Sequence, residues 1–169
     1  MAGIVRRIDE LGRIVIPKEM RRSMLIREGE QIEMTQISNS EIMLKKYSQL
    51  KSIDKMTKIY SDILAKLTGN VIYIVDTSQI VSCSNYNCDC VGDNISTALY
   101  NILSKGEEYF TDNMQIVKKD TEDYKGINIF PIRAGGEIYG GVIAVGMINQ
   151  EKLGMLRAVV GVMAGQVDN

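Results

Sequence analysis

Histidine is absent from all 169 residues. That removes the usual general base near neutral pH, the commonest metal ligand, and every Ser-His or Cys-His nucleophile pair. Tryptophan is absent too, and the three cysteines do not make a disulfide framework. No stretch of about eighteen apolar residues occurs, so a spanning helix is not expected. The opening MAGIVRRIDELG carries charges where an export signal has its apolar core. A cytoplasmic location follows as the expectation. Neither a paired-carboxylate nor a nucleophile motif is present, so no catalytic residue, cofactor or metal is expected, and the chain does not read as an enzyme.

What is present is an ordinary globular mixture, 45% hydrophobic and 24% charged. The formal net charge is −1, but it is unevenly placed. Residues 1–27 hold Arg6, Arg7, Arg13, Lys18, Arg21, Arg22 and Arg27 against Asp9, Glu10 and Glu19, an excess of +4. Residues 48–169 hold 11 basic and 14 acidic side chains, a balance of −3. A basic end on an otherwise neutral chain hints at a nucleic-acid-facing surface. The bland alternative is a solvated face with Asp9, Glu10 and Glu19 as ion-pair partners, each pair worth less than about 1 kcal/mol.

Along the first 47 residues the pattern is short strands around one helical turn. Residues 3–9 alternate with period two, RIVI at 13–16 is a β-branched run, and Pro17 suits the start of a helix over 18–25. Residues 31–37 and 41–47 alternate again around Asn39-Ser40. Four short strands and one small helix are predicted. Fewer than roughly 60 residues hide only about 60% of their surface, so this segment needs a partner, and a second copy would supply the missing cover.

A hinge over 48–51 leads to a helix from 53, where Ile53, Met56, Ile59, Tyr60, Ile63, Leu64 and Leu67 recur at three and four. Strands follow over 71–75 and 79–84, then a helix through Ile95, Leu99, Ile102 and Leu103. Residues 112–125 read as a polar loop with a ragged strand near Met114–Val117. Strands over 127–133 and 138–145 flank a turn at Ala134-Gly135-Gly136-Glu137, and a last helix carries Leu153, Leu156, Val159, Val160, Met163 and Val167. The domains are thus predicted as 1–47, the hinge, and 52–169. The overall class is α+β.

The continuous order R-x-I-D-x-L-G-R-x-V-I-P-K-E-x-R-R over residues 6–22, with EIMLKKY closing the segment, resembles the AbrB/MazE/SpoVT family of DNA-binding domains. The resemblance implies a dimer whose two copies interleave hairpins into one domain-swapped β-hairpin barrel, with a basic face toward double-stranded promoter DNA. It carries DNA contact to Arg6, Arg13, Arg21 and Arg22. Arg7 and Lys18 join them on physical grounds, as basic neighbours on the same short segment. Arginine suits the role because its planar fork spans two phosphate oxygens or the O6/N7 edge of guanine. Lys45 and Lys46 read instead as charges that keep a strand edge soluble.

The order of elements after residue 52 resembles a GAF-like α/β sandwich, which implies a regulatory or oligomerising domain and room for an unknown small-molecule effector. A transcription regulator of the sporulation type, nucleoid-associated and a homodimer or tetramer, is the function expected. Two alternatives are weighed beside it: an antitoxin-like autoregulator, and a ligand- or redox-sensing module with no direct DNA role. Gly135-Gly136 lies between strands and reads as a hairpin rather than a phosphate cradle. Cys83, Cys88 and Cys90 read as reduced thiols in or beside a loop; zinc would need a fourth ligand, for which only Asp89 or Asp93 stands near. A redox lid over 85–94 is the sharper alternative. The last helix carries Gly154, Ala158, Gly161 and Gly165 near its apolar side, so it and the 53–67 stripe either cover their own sheet or build a bundle between copies.

Overall fold

The computed structural model describes residues 3–85, 88–119 and 123–167, and the proposed lid over 85–94 therefore lies partly outside the described residues. The chain divides into two compact units, Met1–Tyr47 and Ser48–Asn169. The first contains α1 (Lys18–Ser23), β1 (Ile32–Ser38) and β2 (Glu41–Lys46). β1 and β2 form an antiparallel hairpin with Glu33 opposite Lys45 and Met34 opposite Leu44.

Residues 3–16, expected to give two strands, form no ladder within one chain. They turn tightly at residues 9–13 and leave both arms without a strand partner. Period two marks a segment able to pair; it does not say with which chain. Val5 is 93% exposed, Leu11 75% and Val15 73%. Among the described residues of this unit only Pro17 is buried. Among its described residues the N-terminal unit has no core of its own.

The second unit holds α2 (Gln49–Ser52), α3 (Asp54–Thr68), β3 (Val71–Asp76), β4 (Ile80–Cys83), α4 (Thr97–Leu103), β5 (Tyr109–Met114), β6 (Tyr124–Ala134), β7 (Glu137–Val145) and α5 (Gln150–Val167). Its five strands lie in the order β4-β3-β7-β6-β5, every pairing antiparallel. Alternation sends successive side chains to opposite faces. Ile72, Ile74, Phe130 and Val142 pack with Leu64 of α3 and Leu156 and Met163 of α5. Tyr73, Val75, Ile129 and Ile143 pack with Leu99 and Leu103 of α4. The result is a sheet with helices on both sides.

Several boundaries differ from the sequence reading for local reasons. Within the segment read as a hinge, Ser48 caps α2 by accepting from the Lys51 N–H, and Leu50 is fully buried. Ser96 caps α4, its side chain accepting from the Leu99 N–H. β5 begins at Tyr109 within a stretch whose polarity concealed it, because an edge strand keeps one side wet. Gly140 is required where β7 pairs with the end of β3: a Cβ there would overlap the Val75 carbonyl oxygen and come within 2.8 Å of Leu50 Cδ1.

α3 is turned in a way its sequence does not announce. It buries Thr57, Ser61, Leu64 and Thr68 and leaves Met56, Ile59, Ile63 and Leu67 exposed, each by 40–50%. The inward hydroxyls are satisfied locally. Thr57 donates to the Asp54 carbonyl, Thr68 to the Leu64 carbonyl, and Ser61 shares a 2.8 Å bond with Ser82 of β4. A polar inner stripe frees the apolar one for something else.

Candidate nucleic-acid interface

The basic residues of the N-terminal unit are held by few local devices. Asp9 organises the turn at 9–13: its Oδ1 accepts from the backbone N–H groups of Leu11 at 3.0 Å and Arg13 at 2.8 Å. Its Oδ2 accepts from Arg13 Nε at 2.7 Å. Backbone bonds close the same turn, from Asp9 N–H to the Arg13 carbonyl and from Gly12 N–H to the Asp9 carbonyl. The Arg13 backbone N–H, then its guanidinium, hold the Asp9 carboxyl below the usual aspartate range. Among the described residues only Nε of the Arg13 guanidinium is engaged, and the side chain is 71% exposed. Most of the Arg13 side chain is therefore open to solvent.

α1 follows Pro17 directly and places Arg21 and Arg22 in its last turn, where positive charge suits the carbonyl end. The helix stops when Leu25 adopts φ 54°, allowing the Ile26 N–H to reach the Arg21 carbonyl at 2.8 Å. Arg6, Arg7, Arg13, Lys18, Arg21 and Arg22 are all exposed. Among the described residues no salt bridge engages Arg6, Arg7, Lys18, Arg21 or Arg22. Unsatisfied guanidinium forks on a short segment are suited to anionic oxygens.

The two lysines closing β2 are placed differently. Lys45 pairs with Glu33 across the strands at 3.1 Å. Lys46 donates to the Leu25 carbonyl and to Glu30 Oε1, tying β2 to the connection after α1. Periodicity puts them at a strand edge but gives no hint of this strut.

In the second unit the notable polar group is sulfur. Cys83 ends β4, is buried, and accepts at Sγ from the Asn85 N–H at 3.4 Å. Burial pushes its thiol above the ordinary range. Cys88 and Cys90 are joined as a disulfide. This corrects the expectation of three reduced thiols: a C-x-C pair folds back on itself without needing a framework. Asp93, the nearby carboxylate, pairs with Lys119 at 2.6 Å. Gly135 and Gly136 sit at φ 57° and 85° in the β6–β7 turn. No helix of the described residues is long and apolar enough to cross a membrane.

With this geometry in place, the likenesses to known proteins are specific. Residues 52–167 match the family model described as stage V sporulation protein T C-terminal, transcription factor. Residues 5–52 match the model for antidote-toxin recognition MazE, bacterial antitoxin. Stage V sporulation protein T of Bacillus subtilis (strain 168) is 35% identical over 145 residues, 83% of this chain and 82% of that one. The transition state regulatory protein AbrB of the same organism is 36% identical over 81 residues, 47% of this chain and 83% of that one. Among solved structures, a type II free methionine-R-sulfoxide reductase from Thermoplasma acidophilum covers 70% of this chain and 94% of its own, at 16% identity and a TM-score of 0.49. That last likeness is too loose to bear on fold or activity.

Proposed function

Since the chain belongs to the stage V sporulation protein T family of DNA-binding transcription regulators, we propose that it grips promoter DNA through an arginine face built by two copies of its N-terminal unit. The observation that carries this reading is a unit with no buried core among its described residues and two unpaired arms over residues 3–16. Two copies exchanging those arms as hairpins would bury Ile4, Val5, Ile14 and Val15 in a shared barrel. Arg6, Arg7, Arg13, Lys18, Arg21 and Arg22 would then appear twice, as positioning contacts to phosphate and, for the arginines, as forks for guanine edges. Asp9 is the positioning residue that aims Arg13.

The second unit, read as a GAF-like sandwich, supplies association. The outward stripe Met56, Ile59, Ile63 and Leu67 on α3 is apolar surface with no use inside its own unit. On α5, a Cβ at Gly154, Gly161 or Gly165 would meet nothing within 4 Å, so another helix can approach the backbone closely there. A helical bundle between copies would join N-terminal dimers into a tetramer and raise the local concentration of basic faces on one duplex. The chain acts in this account by binding rather than catalysis, on the nucleoid in the cytoplasm.

The test uses the full chain and a labelled promoter duplex. Arg13→Ala and Arg21→Ala should each weaken binding while leaving the far-UV circular dichroism unchanged. Unaltered affinity in both rejects the face. Sedimentation should report a dimer or tetramer, and a strict monomer rejects the shared barrel.

A further inference from the structure

We propose that Cys83, Cys88 and Cys90 form a thiolate site for a soft cation, copper(I), which opens when the Cys88–Cys90 disulfide is reduced. The proposal stands apart from DNA binding and rests on the second unit alone. One ligand atom from each cysteine lies within 4.8 Å of the others. Three sulfurs bonded to one ion at about 2.3 Å stand roughly 4 Å from one another, a spacing that the Cys88 and Cys90 sulfurs can take up once their bond is opened. The Cα atoms of Cys88 and Cys90 are 5.3 Å apart, which suits both a disulfide and two ligands of one ion.

The donor set selects the metal. Among the described residues it is all sulfur, histidine is absent from the chain, and the carboxylate of Asp93 pairs with Lys119. Structural zinc asks for four ligands, usually including a fourth sulfur or a nitrogen. Soft thiolates alone, in threes, suit copper(I). The surroundings also fit a metal centre: Cys83 and Cys90 are buried, Cys88 is half-buried and offers the route in, and the Asn85 N–H already points at Cys83 Sγ. As a staple, by contrast, the Cys88–Cys90 bond does little. Its two residues are separated by 2 in sequence, and so short a loop removes little freedom from the unfolded chain.

The chemistry balances simply. Two molecules of a small thiol supply two electrons and two protons, leave as their own disulfide, and convert the Cys88–Cys90 bond into two thiols. The cation then forms three bonds to sulfur as the thiol protons pass to solvent, and copper stays in the +1 state. Occupancy would pin the end of β4 to the connection leading into α4. Gly92 N–H already donates to the Ile80 carbonyl there, and Ile95 and Leu99 share the cysteines' apolar cluster.

The experiment is anaerobic titration of the reduced full-length protein with copper(I) held by bicinchoninate. The expected result is one equivalent withdrawn from the chelate, with sulfur-to-copper absorption in the near ultraviolet and no uptake by the oxidised protein. Cys83→Ala and Cys88→Ser should each weaken uptake by at least about tenfold. Cys88→Ser, at a half-buried loop position, keeps the test decisive should the Cys83 variant fail to fold. The proposal is overturned if the reduced protein leaves the chelate untouched, or if either variant binds as tightly as the parent. Tighter retention of zinc or cobalt(II) than of copper(I) overturns the metal assignment.

Discussion

Arg21→Ala offers the sharpest test of the arginine face, because it alters a slope as well as an affinity. Each chain exposes five basic side chains before residue 23 that no described salt bridge engages: Arg6, Arg7, Lys18, Arg21 and Arg22. Two copies present ten. If all ten touched phosphate, log K would fall with log[salt] at a slope of about −9, since each contact releases roughly 0.9 of a counterion. Removing Arg21 from both copies takes away up to about 1.8 of that slope. Between 50 and 200 mM salt, the parent should then lose about twelvefold more affinity than the variant does. Fluorescence anisotropy of a labelled promoter duplex, repeated across that range with the full chain, measures both slopes. Lys45→Ala is the control, since Lys45 already pairs with Glu33. Equal slopes for the parent and Arg21→Ala, or an equal drop for Lys45→Ala, would refute the reasoning.

Three further outcomes are expected. Ile63→Lys places a charge in the outward stripe of α3 without touching the inward Leu64, so sedimentation should show a smaller assembly while thermal unfolding of the chain persists. Gly140→Ala drives a methyl into the Val75 carbonyl and should cost at least about 3 kcal/mol in chemical unfolding. Parental stability in that variant would contradict the close pairing of β7 with β3 at Gly140. The Asp9 carboxyl is held low by the Arg13 backbone N–H and guanidinium, so its support for the turn is complete above the ordinary aspartate range. That support is lost only as pH falls through the lowered value. An NMR titration of the Asp9 carboxyl carbon should give a midpoint below that of unstructured aspartate, and a normal midpoint would refute the pairing of Asp9 with Arg13.

Much of the second unit was legible because its strands and helices carry their periods openly. Ile72 and Ile74 against Tyr73 and Val75 announce a sheet covered on both sides, and Gly69 at φ 72° ends α3 where the pattern stops. β5 was half-hidden, since Thr111, Asp112 and Asn113 serve a wet edge. The candidate basic residues were legible for a different reason. Their order along residues 6–22 is a motif, and a motif survives without coordinates. Lys46 was not legible as a strut, because its partners, Leu25 and Glu30, lie 21 and 16 residues away.

The amino-acid order by itself determined the two-part plan and the +4 charge excess of residues 1–27, because these depend only on composition and local period. Tertiary structure alone decided three things. It turned α3 so that Thr57, Ser61 and Thr68 are buried and Met56, Ile59, Ile63 and Leu67 are exposed, with Ser61 bonded to Ser82 of β4. It left residues 3–16 unpaired within one chain, because alternation names a strand without naming its neighbour. And it gathered Cys83 with Cys88 and Cys90, since the distance between sulfurs is set by how β4 meets the connection to α4, which no spacing along a chain encodes.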